Sequence, residues 1–321
     1  MKRRILLTGK TGQVGSELLR LLPRLGEVVA PDRLELDLLN ANDIRRAVRE
    51  IRPEVIINAA AHTAVDAAET QQVDACALNA NAPAVFAEEA MKLGAVLIHY
   101  STDYVFDGST STPYEETDLV APINVYGKTK LAGEQAIHAS GVPHLIFRTA
   151  WVYATQGRNF LLTILRLATE REELRIVRDQ FGAPTCSREI AEATVKILTQ
   201  LTEQNSDLST LLSQRGGTYH MTAQGATNWY EFACAILEEA TNISSDFPWF
   251  AVATRGRPLI ARRVIPITTT EFPTPASRPA FSLLSNSRLI RTFGFGLPDW
   301  RTQLRLVFKP EYSTQVHGPR L

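Results

Sequence analysis

A chain of 321 residues is long enough to bury a full α/β core, as one large domain or as two lobes. Its 34 Lys and Arg balance 34 Asp and Glu, so no basic field favours nucleic acid or an anionic membrane, and small-molecule chemistry is the better class. The apolar run in the opening MKRRILLTGK is too short for a secretory core and nothing later approaches a membrane span, so a cytoplasmic protein is expected. Apolar runs at 4–7, 27–30, 55–58, 96–100 and 145–148 read as strands. Helical spacing of apolar residues occupies 16–22, 41–51, 82–93 and 128–139. Continuous apolar strands alternating with helices predict a doubly wound parallel sheet, Rossmann-like, with ligands at the carboxyl ends of the strands. Beyond residue 148 the spacing predicts helices over 160–171, 187–201 and 228–240, a polar loop over 202–217, and an irregular stretch rich in Pro, Thr and Arg over 247–279. Cys76, Cys186 and Cys234 are far apart and read as free thiols, and the six histidines show no metal-binding spacing.

The first strand runs into TGKTGQVGS, residues 8–16. Gly9-Lys10-Thr11 looks like the end of a triphosphate loop, but the glycine such a loop needs five residues earlier is replaced by Arg4. Taken together, Gly9, Gly12 and Gly15 follow a strand and open a helix, which offers free N–H groups and a positive dipole end to a pyrophosphate. A dinucleotide is the expected ligand. The division that follows is a dinucleotide-binding domain over 1–153 with later segments returning to it, a smaller, mainly substrate-binding lobe over 154–308, and a flexible tail over 309–321.

Tyr126 and Lys130 lie four apart at a helix start, hence on one face. An ammonium beside a phenol favours phenolate and lowers a pKa of about 10 toward neutrality. Thr102, at the end of the fourth strand, supplies a hydroxyl for the same substrate oxygen. The three together predict a site that reduces a carbonyl or oxidises an alcohol.

The glycine spacing and the Tyr126/Lys130 pair resemble the extended short-chain dehydrogenase/reductase superfamily. Several blocks are similar, more closely, to the dTDP-4-dehydrorhamnose reductases: NAAAHTAVDAAE at 58–69, STDYVF at 101–106, NVYGKTKLAGE at 124–134, RTAWVY at 148–153 and DQFGAPT at 179–185. The resemblance implies NADPH- or NADH-dependent reduction of the C4 ketone of dTDP-6-deoxy-L-lyxo-4-hexulose, a nucleotide-sugar substrate. It makes Tyr126 the proton donor, with Lys130 tuning it and holding the nicotinamide ribose, and puts Thr102 and Asp103 near the ketone oxygen. Trp151 is implied to pack on the sugar, with Thr63 and Val65 in the substrate site. Gly9, Lys10, Thr11, Gly12, Gln13, Val14 and Gly15 are implied to hold the pyrophosphate, Asp37 and Leu38 the adenine, and Ala59, Ala60 and Ala61 the ribose side.

Asp32 after the second strand favours NADH, whereas Arg33 beside it suits a 2′-phosphate. The family resemblance also raises a homodimer and a magnesium ion, for which Glu189 and Glu192 are the candidate carboxylates. The arginine-rich segment with Arg255, Arg257, Arg262 and Arg263 reads as a solvated loop or as a contact for the substrate diphosphate. Competing functions are a nucleotide-sugar dehydratase or epimerase, and a non-catalytic subunit like that of methionine adenosyltransferase.

Overall fold

The computed structural model describes residues 3–203, 207–241 and 247–309. β1 (Arg4–Thr8) leads into α1 (Gln13–Leu21), and β2 (Glu27–Val29) into α2 (Ala41–Ile51). β3 (Val55–Asn58) is followed by α3 (Val65–Ala68), α4 (Gln72–Cys76) and α5 (Ala82–Leu93), the last two joined by a π-helical turn. Then come β4 (Val96–Thr102), α6 (Val125–Ser140), β5 (His144–Thr149), β6 (Val152–Tyr153), α7 (Phe160–Ala168) and β7 (Glu173–Val177). β8 (Phe181–Gly182), β9 (Thr185–Cys186), α8 (Ser187–Thr202), α9 (Leu208–Arg215), β10 (Gly217–His220) and β11 (Thr227–Asn228) follow. The chain ends in α10 (Trp229–Thr241), α11 (Pro248–Thr254), β12 (Arg263–Ile267), α12 (Ser287–Phe293) and α13 (Trp300–Val307).

Six strands form one parallel sheet in the order β10-β5-β4-β3-β1-β2. The chain leaves β1 for β2 on one side and β3 on the other, so a crevice opens at their carboxyl ends, where doubly wound sheets bind ligands. Side chains alternate across the sheet. Leu7 and Ile57 meet Leu18 of α1, Ile190 of α8 and Leu212 of α9 on one face. Leu6, Ile56 and Leu97 meet Ile44 of α2, Phe86 of α5 and Ile137 of α6 on the other. A separate core joins Leu161 of α7, Leu174 of β7, Phe232 of α10, Trp249 of α11 and Leu304 of α13.

Two stretches of the second half depart from the sequence reading. The expected polar loop at 202–217 contains α9, because the Asp207 carboxylate accepts the Thr210 N–H and Leu208, Leu211 and Leu212 bury one helical face. The irregular stretch at 247–279 contains α11 and also β12, which pairs in parallel with β7. Of the tail expected to be flexible, residues 310–321 lie outside the described residues. Among those described, no helix is long and apolar enough to cross a membrane.

Candidate active site

From Thr8 the chain turns through Gly9, whose φ of +75° favours a residue without Cβ. Gly12 N–H donates to Gly9 O at 2.9 Å, and a Cβ on Gly15 would stand 2.0 Å from that same oxygen, so α1 packs directly on the loop. No side chain caps the start of α1, which leaves its first N–H groups for an anion. Two clefts meet over this loop. An outer one of about 400 Å³ is lined by Gly9, Lys10 and Thr11 together with Asp37, Leu38, Ala60 and Ala61. Asp32 and Arg33 also line it. An inner cleft of about 470 Å³ is lined by Gly12, Gln13, Val14, Ala59 and Thr63, and by Tyr126 and Lys130. A glycine-rich loop at one end and a phenol and an amine at the other suit a dinucleotide laid across both.

Thr102 ends β4 and Asp103 opens the turn that follows, buried at 4% and 1% exposure. Thr102 Oγ1 donates to Asp103 Oδ1 at 3.0 Å and accepts the Tyr104 N–H at 3.1 Å, while Asp103 Oδ2 makes no hydrogen bond although the Ser282 hydroxyl stands near the carboxyl. Burial pushes the Asp103 carboxyl up to about 6. Tyr126 sits in the first turn of α6, whose start is fixed by three bonds. Asn124 Oδ1 accepts the Gly127 N–H at 2.8 Å, Asn124 Nδ2 donates to Ser277 O at 2.8 Å, and Glu69 accepts the Val125 N–H at 2.9 Å. The Thr102 hydroxyl stands beside the Tyr126 phenol and favours its ionised form.

The expected lowering of the Tyr126 pKa by Lys130 is corrected here. Burial pushes the phenol up to about 12, with the Thr102 contact offsetting part of the rise. Lys130 Nζ instead donates to Tyr100 O at 2.6 Å and lies 3.1 Å from His99 Nε2. Burial brings its own pKa down to about 8. Tyr126 is therefore held protonated, the form that can donate to an alkoxide.

Trp151 has φ +48° and stacks on Trp229 with ring centroids 3.5 Å apart; a Cβ on Gly182 would come within 2.6 Å of its indole. Its second partner, Trp229, is not legible in the sequence, since the pairing joins segments nearly eighty residues apart. Val65 opens α3, and its neighbour Asp66 takes Arg278 from the far end of the chain at 2.7 Å. The sequence shows Arg278 only as part of a motif similar to the family's, without its partner, and gives no role to the unpartnered hydroxyls of Ser101 and Thr149. The signal for His99, Ser101 and Thr149 is that of polar residues inside strands buried along their length.

Among the described residues no group of three or more His, Cys, Asp or Glu is placed to hold a metal. Glu192 bridges Arg188 at 3.0 Å, and burial pushes Glu189 up to about 7. Two carboxylates so placed do not make a magnesium site within one chain. Arg255, Arg257, Arg262 and Arg263 are exposed, with Arg263 paired to Glu173.

The family described as RmlD substrate binding domain matches residues 3–313. A dTDP-4-dehydrorhamnose reductase of Burkholderia thailandensis is 48% identical, over 95% of this chain and 98% of the relative. That of Escherichia coli K12 is 43% identical, over 97% and 98%. Among solved structures, dTDP-4-dehydrorhamnose reductase from Bacillus anthracis in complex with NADP superposes with a TM-score of 0.82 at 34% identity, covering 96% of this chain and 99% of that one.

Proposed function

The chain belongs to the RmlD substrate binding domain family, and we infer from that membership and from the site that it is a nicotinamide-dependent dTDP-4-dehydrorhamnose reductase. It reduces the C4 ketone of dTDP-6-deoxy-L-lyxo-4-hexulose to the alcohol of dTDP-L-rhamnose. The observation that carries this reading is that Tyr126 and Lys130 stand in the wall of the same cleft as the glycine loop, with Thr102 against the phenol.

The nicotinamide supplies the hydride when bound. Tyr126 gives its proton to the oxygen of the reduced carbonyl, which Thr102 helps to orient. Lys130 compensates the phenolate left behind. The sheet domain holds the dinucleotide through its glycine loop and through Asp37, Leu38 and the Ala59–Ala61 backbone. Trp151, with Trp229 and Arg278 of the second lobe, borders the sugar nucleotide.

NADPH is the preferred cofactor in this reading. Lys10 and Arg33 line the outer cleft as cations, whereas Asp32 Oδ1 already accepts the Leu34 and Glu35 N–H groups at 2.9 and 3.1 Å. Following nicotinamide absorbance with the 4-keto sugar nucleotide tests the assignment. Oxidation that falls by about 10²–10⁴ in Tyr126→Phe, with cofactor binding retained, is expected. Folded protein that binds NADPH and NADH but oxidises neither would refute it.

A further inference from the structure

The chain that leads from β6 into α7 crosses back over the glycine loop through residues 154–159. Its side chains reach the start of α1: Asn159 Nδ2 donates to Gln13 Oε1 at 3.0 Å, and Gln156 Nε2 donates to Ser16 Oγ. The Asn159 amide also reaches Ala154 O at 2.9 Å and Gln156 O at 3.1 Å, while its Oδ1 accepts the Leu162 N–H at 3.1 Å. One side chain thus closes the loop and caps α7. Gly157, at φ +78°, stands over Gln13, where a Cβ would lie 3.6 Å from Gln13 Cγ. Arg158 is carried by this pinned loop into the wall of the inner cleft, which it shares with Gly12 and Gln13.

The lining of that cleft carries two cations, Lys130 and Arg158, and among the described residues no aspartate or glutamate. Lys130 is buried and donates to Tyr100 O. Arg158 is exposed and, among the described residues, has no carboxylate partner. Ser101 and Thr149, 4% and 8% exposed, line the same cleft with hydroxyls that lack a partner, so the cleft is built to receive a polar guest. A guanidinium offers a planar fork of N–H donors that matches two phosphate oxygens.

We propose that Arg158 binds the diphosphate of the dinucleotide, adding a side-chain contact to the N–H groups at the start of α1. The proposal rests on the dinucleotide reading of the two clefts. The sugar nucleotide carries a diphosphate too, but the lining around Arg158 includes Gly12, Gln13 and Val14 and not the indoles of Trp151 and Trp229. The contact also has a consequence for the second lobe. The loop that bears Arg158 begins α7, whose Phe160 packs on Trp229 with ring centroids 4.5 Å apart, and Trp229 stacks on Trp151. A dinucleotide held by Arg158 therefore fixes the helix against which the sugar-side indoles pack.

The test titrates wild type and Arg158→Ala calorimetrically with NADPH, with ADP-ribose, which keeps the diphosphate, and with adenosine 2′-phosphate, which lacks it. The dissociation constants of NADPH and ADP-ribose should rise about tenfold in the variant, and the difference should shrink as salt is raised. Adenosine 2′-phosphate should bind both proteins alike. Arg158→Lys keeps the charge without the fork and should fall between them. Equal NADPH constants in all three proteins would overturn the proposal and leave Arg158 a solvated side chain. Equal weakening of adenosine 2′-phosphate would overturn it as well, since the loss would then come from the adenine end. The source of the diphosphate is read with dTDP on NADPH-saturated protein. Unchanged dTDP affinity is expected, and a loss confined to dTDP would move the arginine to the sugar nucleotide and overturn the proposal. Wild-type protein that binds neither NADPH nor ADP-ribose would refute the dinucleotide reading itself, and the proposal with it.

Discussion

Replacing Asp103 by Asn should make the protein relatively more stable at neutral pH and not at acid pH. The carboxyl is 1% exposed, has one partnered oxygen and one without a partner, and titrates near 6 in place of the ordinary 3.8. The folded state thus holds this proton more tightly than the unfolded chain does. Its contribution to stability is fully present below about pH 4 and is lost as pH rises through about 6. The difference corresponds to about 3 kcal/mol at most. Asparagine keeps an Oδ1 acceptor for the Thr102 hydroxyl, and its NH₂ takes the place of the unpartnered oxygen, at a pH-independent cost of about 1–3 kcal/mol. The informative quantity is therefore the change in the stability difference between the two proteins, read from urea unfolding at about pH 4 and about pH 7.5. Asp103→Asn should gain on the wild type by about 2 kcal/mol across that interval. A difference that stays constant over the interval would show that Asp103 is not raised by burial.

Gly15→Ala places a methyl 2.0 Å from Gly9 O, so the loop must move; stability should fall by about 1–3 kcal/mol and NADPH affinity, read by fluorescence titration, should fall with it. Arg33→Ala should weaken NADPH by roughly tenfold or more while leaving NADH unchanged, measured by calorimetric titration of both. Glu134→Gln leaves the Arg148 guanidinium buried without its counter-charge, and urea unfolding should register a loss of about 3–5 kcal/mol.

The sheet was legible because strands covered on both faces must be mostly apolar, and the runs read at 55–58 and 96–100 fall in β3 and β4. Tyr126 and Lys130 were legible through their spacing, which states that they share a helix face but not what either side chain bonds. The partners of Lys130 come from β4, and only strand register places His99 and Tyr100 O beneath α6. α9 was missed because its buried face needs only three leucines amid polar residues. β7 and β12 were missed because each is half exposed and is stabilised by the other, a pairing across some ninety residues that local pattern does not carry. The early start of α6, at Val125, follows from the Asn124 cap.

The polar residues of the site share one position in the fold. β1 ends in Thr8, β3 in Asn58, β4 in Thr102 and β5 in Thr149, all buried, after residues that are mostly apolar. Parallel pairing keeps these ends level: Thr8 lies beside Asn58, and Thr102 beside Thr149. Some of their atoms partner one another, but Ser101 Oγ, Thr149 Oγ1 and Asp103 Oδ2 have no protein partner. A buried polar group left without a partner costs about 1–3 kcal/mol, so these atoms weaken the protein unless something that enters the crevice bonds them. Ser101 and Thr149 line the inner cleft with Tyr126 and Lys130, where a ligand would recover part of that cost. A ligand that bonds them binds more tightly by the cost it relieves, and the same free energy appears as stabilisation of the complex. The strand ends, more than the lobes above them, are therefore where binding and stability are coupled.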